Sequence, residues 1–302
     1  MIRSLPMKPS HPKKYFAALG YLLSFACLSG CYPERVESVQ LMNEGIKLYK
    51  QGRRELAVAK LNRSAQRDPT NHRAMFYRGQ ILNNLGIDSG DEDYFKDAVD
   101  SFEDSVKVEG NDPEVFFQLG IAQKNLKEYR DALQAFEQAS DLQPHGQAHY
   151  HSGEIYLELE EYNKAQESYR AAIVAQPDLG VAYTALAKLY RRFKCRSEAL
   201  IVLKNAIEND PSEVGHYRDL GEVYGDLKQH AKAVEFFEQA QQINPGDAPI
   251  VFLLGNAYLA VKDDESAEVT LRKYMRMSHR AEERLMIHKA RALIKKLQKK
   301  KR

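Results

Sequence analysis

A glycine or alanine recurs along this chain at a nearly constant spacing, and this spacing restricts the fold more than any other feature. We call this residue the small position; it is Gly45, Gly79, Gly120, Gly153, Ala187, Gly221 and Gly255. The successive intervals are 34, 41, 33, 34, 34 and 34 residues. A period of roughly 20 to 50 residues is typical of repeat proteins, whose repeats pack only against their neighbours. The spacing therefore predicts about seven stacked repeats.

Other side chains keep fixed places relative to the small position and predict two helices in each repeat. A glycine or alanine lets two helix backbones cross closely, and a large residue fills the space beside it. The large residues follow sixteen positions later, or twenty-three in the second repeat, at Leu61, Phe102, Phe136, Tyr169, Leu203, Phe237 and Leu271. Proline clashes inside a helix, so it marks the turns between repeats; it stands at Pro69, Pro144, Pro177, Pro211 and Pro245.

The segment from Leu220 to Tyr224, followed by Ala233, Phe237 and Pro245, resembles the tetratricopeptide repeat almost letter for letter. The resemblance implies an all-α solenoid of helix-turn-helix repeats. The predicted repeats, numbered 1 to 7, cover residues 38–71, 72–112, 113–145, 146–179, 180–213, 214–247 and 248–281. Residues 282–302 are predicted to be a capping helix and a basic tail. Terminal repeats of such arrays are commonly atypical, as repeats 1 and 7 are here.

The N-terminal segment has the pattern of an export signal. Basic residues within 3–14 precede an apolar run at 15–28 that is too short for a stable membrane-spanning helix. The end of this run, Leu28 to Cys31, resembles the lipobox of bacterial lipoproteins. The resemblance implies removal of residues 1–30 by cleavage between Gly30 and Cys31, and acylation of Cys31, for example with palmitate. The alternative is an ordinary secretory signal with a chance cysteine.

The resemblance to lipoproteins also bears on location. Tyr32 follows the cysteine, whereas an aspartate there resembles an inner-membrane retention signal in enteric bacteria. We therefore expect a protein anchored on the periplasmic side of the outer membrane. Residues 31–37 are predicted to form a short tether, which spans at most ~25 Å when extended. The array would then work close to its membrane.

Charge is divided unevenly along the chain. Residues 31–283 carry 31 basic and 42 acidic residues, whereas residues 284–302 carry nine basic residues and no acidic one. Apolar residues recur at helical spacing from Met286 to Leu297, which predicts a helix that covers the last repeat. The remaining basic tail is either a solubilising end or a contact for anionic lipid, cell-wall polymer or an acidic partner. An exported protein with an acidic body is not expected to bind nucleic acid.

The residue three before the small position is expected to point into the concave groove of such an array. Repeats 1 to 4 place apolar and aromatic side chains there and beside it, namely Met42, Ile46, Phe76, Tyr77, Phe117, Ile121, Tyr150 and His151. Repeats 5 to 7 place Thr184, Lys188, Arg191, Arg192, Arg218, Glu222 and Phe252. An apolar half followed by a charged half suits an amphipathic helix or an extended peptide of a partner protein. The alternative is that these rings pack between helices and only stabilise the stack.

Other candidate sites have structural explanations. The extra residues of repeat 2, at 88–93, are expected to form a solvated acidic loop that lacks the spacing of a calcium loop. His145, His149 and His151 have no spaced partner to complete a metal site. Cys195 is expected to be a small packing residue in a turn. The carboxylate clamp of chaperone adaptors, a Lys and Asn pair, is missing from repeats 1 to 3. The sequence therefore predicts no cofactor, no metal and no catalytic site.

The sequence thus predicts a protein-binding scaffold rather than an enzyme. Its architecture resembles the pilotins of type IV pilus systems, which implies a role as an assembly factor for an envelope complex such as a pilus secretin, with envelope proteins bound in the groove. The alternative is an adaptor that recruits cell-wall enzymes or binds peptidoglycan. No motif separates these roles, because one fold serves many functions.

Overall fold

The computed structural model describes residues 32–278 and 284–300, and within these ranges the chain forms fifteen α-helices and no β-strand. The all-α prediction is confirmed. The predicted signal peptide, with Gly30 and Cys31, lies outside the described residues. The chain divides into two compact units, one that ends at Leu142 and one that begins at Gln143. We call them unit 1 and unit 2 and describe each by itself.

Consecutive helices pair to form the repeats. Unit 1 contains α1 (Tyr32–Lys50), α2 (Arg54–Arg67), α3 (His72–Ser89), α4 (Glu92–Val108), α5 (Pro113–Asn125) and α6 (Tyr129–Leu142). Unit 2 contains α7 (Gly146–Glu158), α8 (Tyr162–Ala175), α9 (Gly180–Arg192), α10 (Arg196–Asn209), α11 (Val214–Asp226), α12 (His230–Ile243), α13 (Ala248–Ala260), α14 (Asp264–Met277) and α15 (Arg284–Lys300). The first fourteen helices thus form seven pairs, in the order that the spacing of small positions predicts.

The small position lies against the large residue of the second helix in the same repeat. A Cβ atom added to Gly120 would stand 2.7 Å from the ring of Phe136, and one added to Gly221 would stand 2.6 Å from the ring of Phe237. Such distances are too short for real carbon contacts, so only glycine fits without a shift of the ring. Phe136 is 1% exposed and Phe237 is 4% exposed. This contact is the centre of each helix pair.

The turn inside a repeat depends on one residue in the left-handed conformation, seven positions after the small position. Its φ is 77° at Gly52 and 60° at Lys228. The following N–H of Gln229 donates to the carbonyl of Tyr224 at 2.9 Å, as in a Schellman motif. Lys127, Glu160, Lys194 and Lys262 adopt the same conformation. Only Gly52 is a glycine, so the composition of these turns did not reveal the conformation.

The first helices begin with a side chain that caps them, eight positions before the small position. Asn71, Asp112, His145, Glu213 and Asp247 each accept a hydrogen bond from a backbone N–H of the first helical turn. These bonds satisfy donors that the helix itself leaves unpaired. In each of these repeats the cap thus places a polar side chain at the start of the first helix.

The insertion in repeat 2 lengthens both helices instead of forming an acidic loop. The prediction of a loop at 88–93 is wrong, since only Gly90 and Asp91 lie outside α3 and α4. Gly90 ends α3 with a φ of 73°, and the Asp91 side chain accepts from the N–H of Asp93. The extra turn places Gly86 against Phe95, where an added Cβ would lie 2.7 Å from the ring. The extension therefore repeats the glycine and aromatic contact that holds the rest of the pair.

The predicted tether is also wrong for residues 32–37, because α1 begins at Tyr32. Proline is tolerated in the first turn of a helix, where its missing N–H costs nothing, and Pro33 lies there. Glu34 in the same turn interacts favourably with the helix dipole. The Pro-Glu pair therefore starts the helix, and the estimate of a flexible reach from these residues does not apply.

Buried polar side chains join the helices of unit 1. The Ser38 hydroxyl donates to the Ser64 carbonyl at 2.9 Å, and the Ser64 hydroxyl donates to the Ser38 carbonyl at 2.7 Å. The Asn71 amide donates to the Ser38 hydroxyl at 2.9 Å. Ser105 in turn donates to the carbonyl of His72 at 3.1 Å. These bonds connect α1, α2 and the turn before α3, and they connect α4 to α3.

At the position of Ser64 and Ser105, repeats 4 to 6 of unit 2 carry the buried alanines Ala172, Ala206 and Ala240. Tyr169, Leu203, Leu220 and Phe237 belong to one buried cluster that extends across repeats 4 to 7. A second cluster joins repeat 7 to α15, which places Ala290, Ile294, Leu293 and Met286 against Val251, Phe252, Leu271 and Tyr274. The helix predicted to cover the last repeat thus does so. Among the described residues, no helix combines the length and apolar character needed to cross a membrane.

Candidate partner-binding groove

Unit 2 contains an open groove with a volume of about 980 Å³. Its walls come from the first helices α7, α9 and α11, and from the turns between repeats at 176–179, 210–213 and 244–247. The apolar or small residues of its lining include Tyr150, Leu157, Leu179, Val181, Thr184, Ala185 and Leu189. Val181 is 51% exposed. A groove of this size and lining has room for a segment of another chain, with apolar contacts to these residues.

Three basic side chains line the groove. Lys188 is exposed on α9. The Arg192 guanidinium lies 4.7 Å from the centre of the Tyr162 ring and donates to its hydroxyl at 2.8 Å. Arg218 donates twice to Asp219, at 3.0 and 2.8 Å. Arg192 and Arg218 are thus held by neighbours, and Lys188 can turn toward a bound partner.

Acidic side chains line the edge formed by the turns between repeats. Asp178, Asp210, Glu213 and Asp247 lie there. Glu213 and Asp247 are helix caps. The side-chain and backbone hydrogen bonds from Ser212 lower the pKa of Asp210, so it is ionised at neutral pH. The groove therefore offers negative charge along this edge and from Glu154 and Glu158 of α7, and positive charge from α9 and α11.

The predicted groove residues of repeat 4 form a hydrogen-bonded set on α7. The Tyr150 hydroxyl donates to Glu154 at 2.9 Å, and Nδ1 of His151 lies 2.8 Å from the other carboxylate oxygen. Burial, with a further effect of Glu154, raises the pKa of Tyr150 to about 12. The Tyr150 ring lies 5.9 Å from that of Tyr169. Tyr150 thus lines the groove and also packs on the second helix of its repeat.

The predicted groove residues of unit 1 pack on the second helices of their own repeats. Phe117 is 6% exposed and its ring lies 6.0 Å from that of Phe136. Phe76 is half-buried, 6.0 Å from Phe102 and 5.6 Å from Tyr77. Met42, Ile46, Tyr77 and Ile121 are half-buried as well. The packing alternative therefore accounts for Phe117, while the half-buried side chains keep some surface for a partner.

Four predicted groove residues of unit 2 do not line the groove, namely His151, Arg191, Glu222 and Phe252. Phe252 is 7% exposed and its ring lies 5.1 Å from that of Tyr274. Arg191 joins α9 to α11, since it donates to Asp226 at 2.9 Å and also to Glu222. Both side chains stabilise contacts between helices. Of the groove residues that were predicted by counting from the small positions, the structure brings Tyr150, Thr184, Lys188, Arg192 and Arg218 together in the groove.

Beneath the groove lies a buried histidine that the sequence did not single out. His216 is 1% exposed, and neither of its ring nitrogens has a hydrogen-bond partner. A Cβ atom on Gly180 would stand 3.1 Å from its ring, and its ring lies 6.2 Å from that of Tyr183. Burial lowers the pKa of His216, although nearby carboxylates oppose this. The repeats around it place Ala182 and Ile250 at the same position.

The acidic edge was missed because its residues lie outside the helical period. The spacing of the small positions locates the faces of helices, whereas Asp178 and Asp210 lie in turns. A signal did exist: a polar residue stands eight positions before most small positions, as expected for a helix cap. Cys195 is half-buried next to the turn of repeat 5, as expected. The described parts of the chain hold no group of three residues able to bind a metal.

The fold and the groove define a solenoid of helix pairs that binds other proteins. One tetratricopeptide repeat model matches residues 42–106, 117–179 and 184–248, and another matches residues 226–281. Together they cover more than half of the chain. The chain belongs to the tetratricopeptide repeat family, whose members are generally non-catalytic scaffolds that bind partner proteins through their grooves.

Known proteins resemble the chain over its repeats. The human protein O-mannosyl-transferase TMTC3 is 28% identical over 182 residues, which is 55% of this chain and 20% of TMTC3. The chain thus spans about a fifth of that relative. A tetratricopeptide repeat protein from Parabacteroides merdae is 18% identical with a TM-score of 0.55, covering 87% of this chain and 99% of that chain. The pilF structure of Pseudomonas aeruginosa is 15% identical with a TM-score of 0.54, covering 78% of this chain and 100% of that chain. Both likenesses to solved structures concern the fold alone.

Proposed function

We propose that this protein is a scaffold, anchored by lipid at Cys31 to the periplasmic side of the outer membrane, that helps to assemble an envelope complex. The groove of unit 2 is the observation that carries the proposal. Its lining combines apolar side chains with charge of both signs, and Val181 and Lys188 in this lining are exposed. A type IV pilus secretin is the proposed client, on the architectural resemblance to pilotins and the shared fold with pilF.

The partner in this proposal is an extended or helical segment of an envelope protein. Its apolar side chains lie against Tyr150, Val181 and Ala185. Its basic groups face the acidic edge, and an acidic group faces Lys188. Charge of both signs sets the direction in which a segment binds, because reversal places like charges together.

The test compares two matched double variants of the full chain. Val181→Glu with Lys188→Glu changes the groove. Val174→Glu with Lys204→Glu makes the same changes at exposed positions on the second helices α8 and α10, and Val174 is 81% exposed. A tagged chain is cross-linked in cells and purified from detergent-solubilised envelopes. The groove variant should recover at least about tenfold less envelope partner. Its new glutamates face apolar side chains and an acidic group of the partner, and like charges placed together cost several kcal/mol. The control variant should recover as much partner as the wild-type chain.

Equal recovery of the partner by both variants overturns the groove as the binding site. The anchor is tested separately with Cys31→Ser, which should abolish incorporation of labelled palmitate and move the chain out of the outer-membrane fraction. A strain that lacks the protein should contain fewer secretin multimers. If that strain contains normal secretin multimers, the secretin is not the client. If the groove variant still loses its partner, the scaffold role stands.

A further inference from the structure

The helix α15 has two faces of opposite character. One face contains Ala290, Ile294 and Leu297, which are 0%, 7% and 5% exposed. Ala290 and Ile294 pack against repeat 7. Gln298 adds a hydrogen bond to Glu268 of α14 at 3.2 Å. The apolar face of the helix is therefore occupied, which fixes the direction in which the opposite face points.

The opposite face is predominantly basic. Its exposed cations are Arg284, Lys289, Arg291, Lys295, Lys296 and Lys299. At 3.6 residues per turn these side chains cover an arc of roughly 160°, centred opposite the buried residues, and they follow a helix about 25 Å long. No acidic residue belongs to α15. Within the described ranges no ion pair neutralises any of the six.

An apolar residue lies in the middle of this arc. Leu285 is 66% exposed, and Ala292 is exposed two turns further along the helix. On the wheel both stand between the basic side chains. A soluble polyanion gains nothing from an exposed leucine, whereas a lipid surface takes up both the charges and the apolar side chain. The combination favours a bilayer over an anionic polymer.

We propose that the exposed face of α15 is a docking surface for anionic phospholipid headgroups. The contact is peripheral: since the apolar face is buried in repeat 7, the helix lies on the headgroups and does not insert. The Lys and Arg side chains meet phosphate groups, and Leu285 enters the boundary between headgroups and acyl chains. This surface is independent of the groove and of acylation at Cys31.

The test uses full-length chain and vesicles of phosphatidylcholine with or without phosphatidylglycerol. The preference for the anionic vesicles should be at least about tenfold at low salt and should weaken as salt is added. Lys289→Gln, Arg291→Gln, Lys295→Gln and Lys296→Gln together should remove most of that preference. The matched control replaces four exposed cations elsewhere, Lys47, Lys50, Lys204 and Arg276, with glutamine and should keep it. Any preference of the N-terminal residues is the same in both variants.

A preference that survives in the α15 variant overturns the proposal, as does an equal loss in the control variant. Leu285→Ser separates a lipid from a polymer. It should weaken vesicle binding about fivefold and leave binding to soluble polyglutamate or isolated peptidoglycan unchanged. If α15 instead determines binding to those polymers and not to vesicles, the surface recognises an acidic polymer and the lipid assignment is wrong.

Discussion

Units 1 and 2 are built from the same helix pair, yet they use polar residues differently. In unit 1 the buried serines pair across helices, as Ser38 does with Ser64, and the first-helix ring of Phe117 packs inward. In repeats 4 to 6 of unit 2 alanine takes the place of Ser64, polar side chains line an open groove, and the buried His216 lacks a partner. The comparison teaches that one repeat pattern accommodates either serine pairs that join its helices or an open groove lined with polar groups.

The largest test of this difference is Phe117→Ala in unit 1. Because the ring is 6% exposed and packs on Phe136, its removal should lower the free energy of unfolding by about 3–5 kcal/mol. Tyr150→Ala is the counterpart in unit 2. Its half-exposed ring should cost less stability and should weaken partner binding instead. Urea denaturation measures the first effect, and a cost below ~1 kcal/mol for Phe117→Ala would show that the ring is not part of the core.

The next test removes a buried hydroxyl from unit 1. Ser64→Ala leaves the carbonyl of Ser38 and the amide of Asn71 with fewer partners, so it should lower stability by about 1–3 kcal/mol. Ala206→Ser, at the equivalent position of unit 2, is the reverse change. It should also destabilise, because the neighbourhood is apolar. If both variants unfold at the wild-type urea concentration, the contrast between the two units has no energetic basis.

A third test concerns the unpaired histidine of unit 2. His216→Ile copies Ile250 of the next repeat and should raise the free energy of unfolding by about 1–2 kcal/mol at neutral pH. Since folding lowers the pKa of His216, its neutral form favours the folded state above the ordinary value of 6.5, and stability is lost as the pH falls through the lowered pKa.

The matched measurement is the pH dependence of stability. Wild-type stability should fall more steeply below pH 6.5 than that of the His216→Ile variant. The groups that surround the ring include Glu213, Asp210 and Asp219, and their titration at lower pH is common to both proteins. Parallel curves for the two proteins would mean that His216 does not titrate on unfolding.

The smallest effect is expected at the turns inside the repeats, where the units differ least. Lys228→Gly relieves a left-handed residue, a gain of about 1–2 kcal/mol that the flexibility of glycine in the unfolded chain reduces by about 0.5–1 kcal/mol. The net result should be a stabilisation of about 0–1.5 kcal/mol. Gly52→Ala in unit 1 should destabilise by a similar amount. Thermal unfolding resolves both, and a destabilised Lys228→Gly variant would contradict the conformational argument.

Much of the fold was predictable because packing repeats with the period. Close contact at Gly120 or Gly221 tolerates no Cβ, so the sequence records each helix crossing directly. The start of α1 at Tyr32 was missed because the repeat pattern, which locates the other helices, places the beginning of repeat 1 at residue 38. The groove was predicted only in part. Lys188 and Arg218 lie on helix faces that the repeat spacing locates, whereas Asp178 and Asp210 lie in the turns between repeats, away from those faces.

The insertion of repeat 2 shows how such a chain can change length. Helices in a pair run in opposite directions, so one added turn on each needs about seven residues, the number by which the second interval exceeds its neighbours. The added turns brought Gly86 to Phe95 and left Gly79 facing Phe102. An insertion of three or five residues would rotate one face away from its partner. A repeat of this architecture can therefore lengthen by one turn on each of its two helices and keep their faces in contact.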